Sequence, residues 1–317
     1  MSLHSTLLPA LAGSVLCLGL PAQAVDKLPY YCTRVQEPAG NWSAVRGGGR
    51  EYADLRVTAL MLLAQLGDGA TLARLDGTFR SLDKGVQWLR QQQDKRGRIA
   101  LHTGPDWLLD HAMATCVLAE VLRTGGPAPL AEEVVAAVDA LRTQLAAMQR
   151  SPGAEMRLWC DMIVRSLRQA VAIRAAKLGE RAKSVATAAD ALAACVAALP
   201  ETAPQTPRQE AAQCLRVALA GGDGAAMGKA WLDDPLRDPL TSFYAYTALY
   251  LRGSNDWAEA SKRITSVVAR QLKEGEHKGS WEPVGEFGTE NGRHGTTAAA
   301  ILLLQVYYRY SRLEICQ

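Results

Sequence analysis

Apolar residues recur along most of the chain with the spacing of an α-helix. Leu55, Ala59, Leu62 and Leu66 follow one another at steps of four, three and four residues, and Gly67 ends the run. This spacing places the four side chains on one helical face. Further segments with the same period lie near 79–93, 107–123, 130–149, 157–178, 181–199, 207–220, 241–252, 257–273 and 295–311.

The pattern predicts an all-α protein of about ten or eleven helices joined by short loops, because no stretch alternates apolar and polar residues over several positions. Such an array can be an open α-solenoid or a closed ring of helical hairpins, an α/α toroid. Residues 298–308 read AAAILLLQVYY and are apolar on nearly every side, which indicates a helix buried all round. The terminal helix of an open solenoid would have a polar face, so the closed ring is favoured.

The composition agrees with helices and limits the classes of partner. Ala, Leu and Val dominate and there are only three Phe, which favours helices over strands. The 35 Lys and Arg residues against 32 Asp and Glu residues give a net charge of +3. These charges are scattered, and the balance is too small to indicate nucleic acid or an anionic membrane as a partner.

The first 24 residues have the pattern of a cleaved secretory signal. They contain no Lys, Arg, Asp or Glu, and an apolar stretch at 7–20 is followed by Pro-Ala-Gln-Ala, a small-residue cleavage site. A membrane anchor is the alternative, but the stretch is shorter than the roughly 20 residues that span a bilayer. We therefore predict export to the periplasm or the extracellular space, with no transmembrane segment after cleavage. Residues 25–49 are expected to be an irregular lead-in, and 50–317 a single domain.

The mature chain would keep an even number of cysteines in an oxidising compartment, where disulfides can form. The sequence does not fix their pairing. Cys195 and Cys214 flank a proline-rich turn and could form a bridge, while Cys32 and Cys316 could tie the two ends of the mature chain together. The six cysteines are Cys32, Cys116, Cys160, Cys195, Cys214 and Cys316.

Two segments share a turn that follows a helix. Residues 84–99 read KGVQWLRQQQDKRGRI and residues 267–281 read VVARQLKEGEHKGSW. Each passes from a helix through Gln to a polar turn, then to Gly and an apolar residue that can pack back on the helix. A weaker third copy ends in Gln149 and Gly153. The first segment resembles the QW repeat of squalene–hopene cyclases and their protein-prenyltransferase relatives, with Ile99 where the family has Trp.

The resemblance covers about residues 50–311. Segments 110–126, 243–257 and 279–310 resemble helices of cyclase-like repeat proteins that bacteria export. The resemblance implies an α/α toroid of the terpenoid-cyclase and protein-prenyltransferase kind, in a group of secreted prenyltransferase/squalene-oxidase-repeat proteins whose activity is undefined.

The motifs that carry the chemistry of these families are missing from this chain. Squalene–hopene cyclases use an Asp-rich DxDD motif as the acid, whereas residues 231–235 read WLDDP, without the leading Asp. No positions match the Asp, Cys and His that hold zinc in protein prenyltransferases. Nucleophile, phosphate-loop and zinc-protease motifs are also absent. We therefore expect neither a metal nor a cofactor, and the resemblance implies the fold rather than an activity.

Two acidic segments are candidates for catalysis. Asp110 and His111 are neighbours at the start of the predicted third helix and could serve as an acid–base pair. A histidine that is hydrogen-bonded within the helix packing is the alternative. Asp106, Trp107 and His102 lie just upstream and could join a cluster at the mouth of the cavity. Asp233 and Asp234, together with Asp238, could supply the carboxylate pair of glycoside chemistry, but the prolines beside them also fit a turn with capping residues.

The candidates for ligand binding gather mainly in the predicted loop 282–294. In a toroid this loop would lie at one mouth of the central cavity, where the N-terminus of the next helix favours an anionic group. A structural salt bridge between Arg293 and a nearby Glu is the alternative. The candidate ligand-binding residues are Trp107, Trp281, Glu282, Glu290, Arg293 and His294.

Together these patterns predict an exported, monomeric α/α toroid that binds an unidentified ligand or envelope partner through its central cavity or its rim. The alternative is an enzyme on the same scaffold. That enzyme would be a polysaccharide lyase or hydrolase, or a diverged terpenoid cyclase.

Overall fold

The computed structural model describes residues 28–72, 77–102, 106–222, 234–253 and 255–306. Within these ranges the chain forms eleven α-helices and no β-strand, which confirms the predicted all-α class and number of helices. The helices are α1 (Leu28–Val35), α2 (Asp54–Gly67), α3 (Gly77–Gln91), α4 (Trp107–Thr124), α5 (Leu130–Ala147), α6 (Ala154–Leu178), α7 (Arg181–Ala198), α8 (Pro207–Leu219), α9 (Pro239–Arg252), α10 (Asn255–Ala269) and α11 (Gly285–Leu304). None of the described helices is long and apolar enough to cross a membrane.

Two helices differ from the sequence-based prediction. Residues 28–35, within the segment expected to be irregular, form α1. Helix α11 begins at Gly285 rather than near Gly295, and it passes through a kink at Gly292, where φ is 62° and ψ is −167°. The predicted loop 282–294 is therefore largely helical. Its glycines and polar residues lack the apolar period that reveals a helix in a sequence.

Six helices contact one another in a cycle. Helix α2 packs on α4, α4 on α6, α6 on α8, α8 on α9, α9 on α11, and α11 on α2. We call these six the cycle helices. Helix α3 packs on α2, α5 on α4, α7 on α6, and α10 on α9 and α11.

The cycle helices carry most of the buried apolar surface. Every residue of α2 from Leu55 to Gly67 is buried, and so is every residue of α11 from His294 to Leu304. The helices outside the cycle bury one face only; α5, for example, buries Val134, Val138 and Leu141 and exposes its opposite side. A helix that is buried all round must have neighbours on all its faces, which is the position that the cycle gives to α2 and α11.

A glutamine side chain caps three of the QW-like turns. The side-chain amide of Gln93 donates to the carbonyl oxygen of the glycine four residues later, at 3.1 Å. Gln271 donates to the glycine eight residues later, at 3.0 Å. Gln36 makes the same bond at 2.7 Å, which adds a copy that the sequence analysis missed. Gln149, assigned to a weaker copy, is exposed at the surface.

Two tryptophans anchor these turns in the same way. The backbone N–H of Trp42 donates to the hydroxyl of Thr58 in α2 at 3.1 Å, and its indole N–H donates to a carbonyl of α1 at 2.8 Å. Trp281 repeats both bonds, to Thr297 in α11 at 3.2 Å and to a carbonyl of α10 at 2.7 Å. Each threonine lies 16 residues after its tryptophan. The turns are therefore structural repeats that lead from one helix to the next cycle helix.

We expect Trp42→Phe and Trp281→Phe to lower the free energy of unfolding by similar amounts, about 1–3 kcal/mol each, because each removes a buried hydrogen bond from the indole N–H to a helix carbonyl. Urea unfolding followed by circular dichroism measures both. Trp88→Phe is the control, since Trp88 is also buried but its indole makes no hydrogen bond within the described ranges. An equal loss of stability in all three variants would contradict a role for the indole bonds.

A glycine-rich segment closes the cycle by packing against the kink of α11. The backbone N–H of Arg50 donates to the carbonyl of Glu290 at 2.7 Å. A Cβ on Gly49 would lie 2.6 Å from that carbonyl oxygen, and a Cβ on Gly292 would lie 2.5 Å from the carbonyl oxygen of Gly47. Both distances are far below van der Waals contact, so the two backbones can meet only where both lack side chains.

Gly292→Ala should lower the free energy of unfolding by at least about 2 kcal/mol more than Gly179→Ala does. Gly179 has a similar backbone conformation, with φ 58° and ψ −135°, but nothing lies within 4 Å of its would-be Cβ. Comparing the two variants thus separates the cost of backbone strain, which both share, from the cost of the close contact, which arises only at Gly292. Equal losses in urea unfolding would show that the contact can relax.

The cysteine pairing suggested by the sequence is not present. No disulfide joins Cys195 and Cys214. Cys195 in α7 lies over α5, with its sulfur 3.9 Å from the Arg142 carbonyl, while Cys214 is buried in α8. Cys32 is also free and buried. Its suggested partner, Cys316, lies outside the described residues.

Candidate functional site

Charged and polar side chains from all six cycle helices meet in one network, which we call the charged cluster. They lie in or beside the first two turns of their helices, so the cycle helices bring their N-terminal ends to the same place. The members are Arg56 from α2, Asp106 and Asp110 from α4, Glu155 from α6, Arg208 from α8, Asp238 and Tyr244 from α9, Glu290 from α11, and His102 from the segment before α4.

Arg56 holds one side of the charged cluster together. Its guanidinium lies 2.6 Å from Asp110, 3.3 Å from Asp106 and 3.4 Å from Glu290, so it joins α2 to both α4 and α11. The Arg56 side chain is only 3% exposed. Burial by itself would lower the pKa of Arg56, but the neighbouring carboxylates raise that pKa above its ordinary value. The guanidinium therefore stays charged and paired.

Asp110 pairs with His102 and not with His111. The Asp110 carboxylate accepts from Arg56 and also lies 3.1 Å from Nε2 of His102. Asp110 is fully buried, while His102 is partly exposed. The predicted acid–base pair of adjacent residues is thus not formed, and a different histidine takes the place beside the carboxylate.

Both ring nitrogens of His111 are hydrogen-bonded to backbone groups within the helix packing. Its Nδ1 accepts from the backbone N–H of Ile99 at 3.0 Å, and its Nε2 lies 3.0 Å from the carbonyl of Ala137. These partners assign the proton of the neutral ring to Nε2. Burial lowers the pKa of His111 to about 4. The ring thus fastens the first QW-like turn to α5 through two backbone groups.

This buried histidine should make stability depend on pH. Between its ordinary pKa of 6.5 and about 4, the unfolded chain binds a proton at His111 that the folded protein does not, so stability falls as the pH falls through this range. From pH 7 to pH 4.5 we expect wild type to lose about 2–3 kcal/mol more than His111→Gln does. Urea unfolding at both pH values measures the difference. His277→Gln, at an exposed histidine, should leave the wild-type pH dependence in place.

Glu155 occupies the other side of the charged cluster. Tyr244 donates its hydroxyl to the Glu155 carboxyl at 2.9 Å, and the indole N–H of Trp159 donates to the Tyr244 oxygen at 3.0 Å. Burial raises the pKa of Glu155, although Arg208, Tyr244 and Arg56 each lower it in part. The Glu155 side chain nevertheless remains partly exposed. In the same cluster the side chains of Glu290 and Asp238 are 28% and 30% exposed, so solvent, and therefore a ligand, can reach the group of residues around Glu155.

Arg208 and Asp238 complete the charged cluster. Their side chains form an ion pair at 2.9 Å, and Asp238 also caps α9 by accepting from the backbone N–H of Thr241 at 3.0 Å. The Arg208 guanidinium lies 5.5 Å from the centre of the Phe287 ring in α11, a cation–π distance. This pair therefore connects α8, α9 and α11 in the way that Arg56 connects α2, α4 and α11.

The residues predicted to bind a ligand do not come together as one site. Glu290 belongs to the charged cluster through Arg56. Arg293 instead pairs with exposed Glu282 at 2.7 Å, and this bond lowers the pKa of Glu282. His294 lies under the N-terminal segment, where its Nδ1 is 2.8 Å from the Ser43 carbonyl. The salt bridge is the alternative that the sequence left open.

The two candidate tryptophans lie in different settings. Trp281 is fully buried and serves the turn before α11. Trp107 is partly exposed, and the guanidinium of Arg98 covers its ring at 5.6 Å from the ring centre.

The predicted Asp233–Asp234 pair is only partly described. Asp234 accepts from the backbone N–H of Leu236 at 3.1 Å and pairs with Arg270 at 2.6 Å, as a turn residue would. Asp233 lies outside the described residues.

Comparison with known proteins does not identify a family for this chain. No protein-family model matches the chain, and no curated protein matches it significantly. Within the described ranges, no group of three or more His, Cys, Asp or Glu side chains is arranged to hold a metal ion.

Sequence reasoning missed Arg56, Glu155 and Arg208, whereas His102 and Asp106 had been considered as neighbours of Asp110. The three missed residues share two features. None belongs to a motif, and their partners lie far away along the chain. The weak signal that they share is a charged residue within or just before the first turn of an apolar helix.

Proposed function

We propose that this chain is an exported α/α-toroid protein that binds a ligand at the charged cluster without transforming it. The toroid is supported by the cycle of contacts among the six cycle helices and by the meeting of their N-terminal ends. Export is supported by the signal-like pattern of residues 1–24.

The environment of Glu155 carries the proposal. Its carboxyl lies within the electrostatic reach of Arg56 and Arg208 and is hydrogen-bonded to Tyr244. Each of the six cycle helices supplies at least one side chain to this cluster. An ion pair that only stabilised the fold would need two charged groups, whereas this cluster contains many more. A convergent set that solvent reaches is the arrangement of a binding site.

The balance of charges indicates the chemistry of the ligand. Five carboxyl groups (Asp106, Asp110, Glu155, Asp238 and Glu290) face two guanidinium groups, so a phosphate or another simple anion would meet a surplus of negative charge. Sugar hydroxyls both donate and accept hydrogen bonds, so they match carboxylates, guanidiniums and Tyr244 together. We therefore propose a neutral, hydroxyl-rich ligand such as an oligosaccharide of the cell envelope.

One observation favours the alternative of an enzyme on this scaffold. The raised pKa of Glu155 helps this carboxyl keep a proton, as a general acid must. In an enzyme, Glu155 would donate that proton to the leaving group of a glycosidic bond, and Tyr244 would hold the carboxyl in place. A diverged terpenoid cyclase would need an apolar cavity next to the same acid.

Binding of neutral oligosaccharides separates these possibilities. We expect cello-, malto- or chito-oligosaccharides to bind wild type in isothermal titration calorimetry. Glu155→Ala should weaken binding at least about tenfold, because the ligand hydroxyl that donates to the Glu155 carboxyl would be buried without an acceptor. Glu155→Gln should stay within about threefold of wild type, because the amide still accepts a hydrogen bond.

Glu282→Gln is the matched control, since its carboxyl is exposed, paired with Arg293 and outside the charged cluster. Products from wild type, together with binding but no products from Glu155→Gln, would support the enzyme instead. If no neutral oligosaccharide binds, or if Glu155→Ala binds as wild type does, the proposed ligand site is wrong.

A further inference from the structure

A groove of about 920 Å³ runs between α6, α7 and α8, away from the charged cluster. Helices α7 and α8 both pack on α6 and leave one face of α6 as the floor of the groove. The size is within the range of pockets that hold small ligands. None of the groups that form the charged cluster lines this groove.

The groove combines apolar side chains from all three helices with arginines that lie mainly on α6. Val164, Ala193, Val196, Leu199 and Leu219 give the apolar contact surface. Four arginines and two acidic residues also line it, so its charged groups have a positive surplus. These are Arg157, Arg165, Arg168, Arg216, Asp161 and Glu201.

Three of the four arginines are paired within the protein. Arg157 donates to three carbonyls at the end of α7, at 2.6 to 3.0 Å. Arg216 pairs with Asp161 at 2.7 Å, and Arg168 pairs with Asp190 at 2.9 Å. These bonds hold the sides of the groove in place.

Arg165 is the exception within the described part of the chain. It forms no ion pair there, and its Nε is buried without a hydrogen-bond partner. It lies on the groove face of α6, four residues after Asp161 and next to the apolar side chain of Val164. The buried Nε–H without a partner is unfavourable. The guanidinium also has no partner for its charge within the described ranges, and an anion in the groove would supply one.

We propose that this groove binds an amphipathic carboxylate, such as a fatty acid, with its head on Arg165 and its alkyl chain against the apolar side chains of the groove. The planar guanidinium matches a carboxylate with two parallel hydrogen bonds. A phosphate monoester also fits Arg165, but its second negative charge would face Asp161 and Glu201. The groove is therefore suited to a monoanion.

Titration calorimetry with laurate, below its micelle concentration and at pH 7.5, tests the head group. Laurate should bind the full chain, and Arg165→Gln should weaken binding at least about tenfold, because a charge-assisted bidentate pair is lost. Arg168→Gln should change it by about threefold or less, since Arg168 is exposed and already paired with Asp190. Equal affinity of Arg165→Gln and wild type would overturn the proposal, as would a wild-type protein that does not bind laurate.

The ligand series tests the two parts of the groove separately. Dodecanol keeps the chain and loses the charge, acetate keeps the charge and loses the chain, and dodecyl phosphate adds a second charge. Each should bind at least about tenfold more weakly than laurate. If dodecyl phosphate binds more tightly than laurate, the proposed preference for a monoanion is wrong. If dodecanol binds as tightly as laurate, the proposed role of Arg165 is wrong.

A second pair of variants keeps the test independent of folding. Ala197 lines the groove and is exposed, so Ala197→Glu and Ala197→Lys should both fold. The Glu variant should weaken laurate binding and the Lys variant should preserve or strengthen it, because only the sign of the added charge differs. The same response from both would contradict an anionic head group. Thermal melting of Arg165→Gln without ligand should match or exceed wild type, since the variant removes a buried N–H that has no partner.

Discussion

The buried guanidinium of Arg56 joins the ends of the helical cycle. It is held by carboxylates of α4 on one side and of α11 on the other. A buried ion that loses a partner costs several kcal/mol, so none of the three helices can leave without destabilising the other two. The glycine contact at Gly292 acts at the same junction through the backbone. Closure of the cycle and assembly of the charged cluster are therefore one event.

The helices were predictable wherever the apolar period is strong. Helix α2, with its run from Leu55 to Leu66, is typical of the helices that matched. The start of α11 was not predictable, because residues 285–292 are polar and glycine-rich and owe their helical form to neighbours that pack on them. Helix α1 was missed because it is only eight residues long. Its QW-like turn, ending in Trp42, could have been found from its likeness to the turn that ends in Trp281.

The charged cluster was predictable only in fragments. Asp110 and Glu290 were chosen for local reasons, and the structure places both in the cluster. Their common partner Arg56 is 234 residues from Glu290 along the chain, and no local pattern reports such a pair. Asp110 and His111 were considered together because they are neighbours. Successive residues of a helix point in directions about 100° apart, so the two side chains meet different helices.

The long separation between α2 and α11 along the chain delays the moment at which α2 can be fully buried. A ribosome that adds roughly 5–20 residues per second needs roughly 10–50 s to pass from Arg56 to Glu290, 234 residues later. Throughout that interval the apolar face of α2 that α11 covers has no permanent neighbour. The nascent chain therefore exposes an apolar surface from early in translation. A chaperone or folding compartment that receives the chain has to keep this surface from aggregating until the C-terminal helix is available.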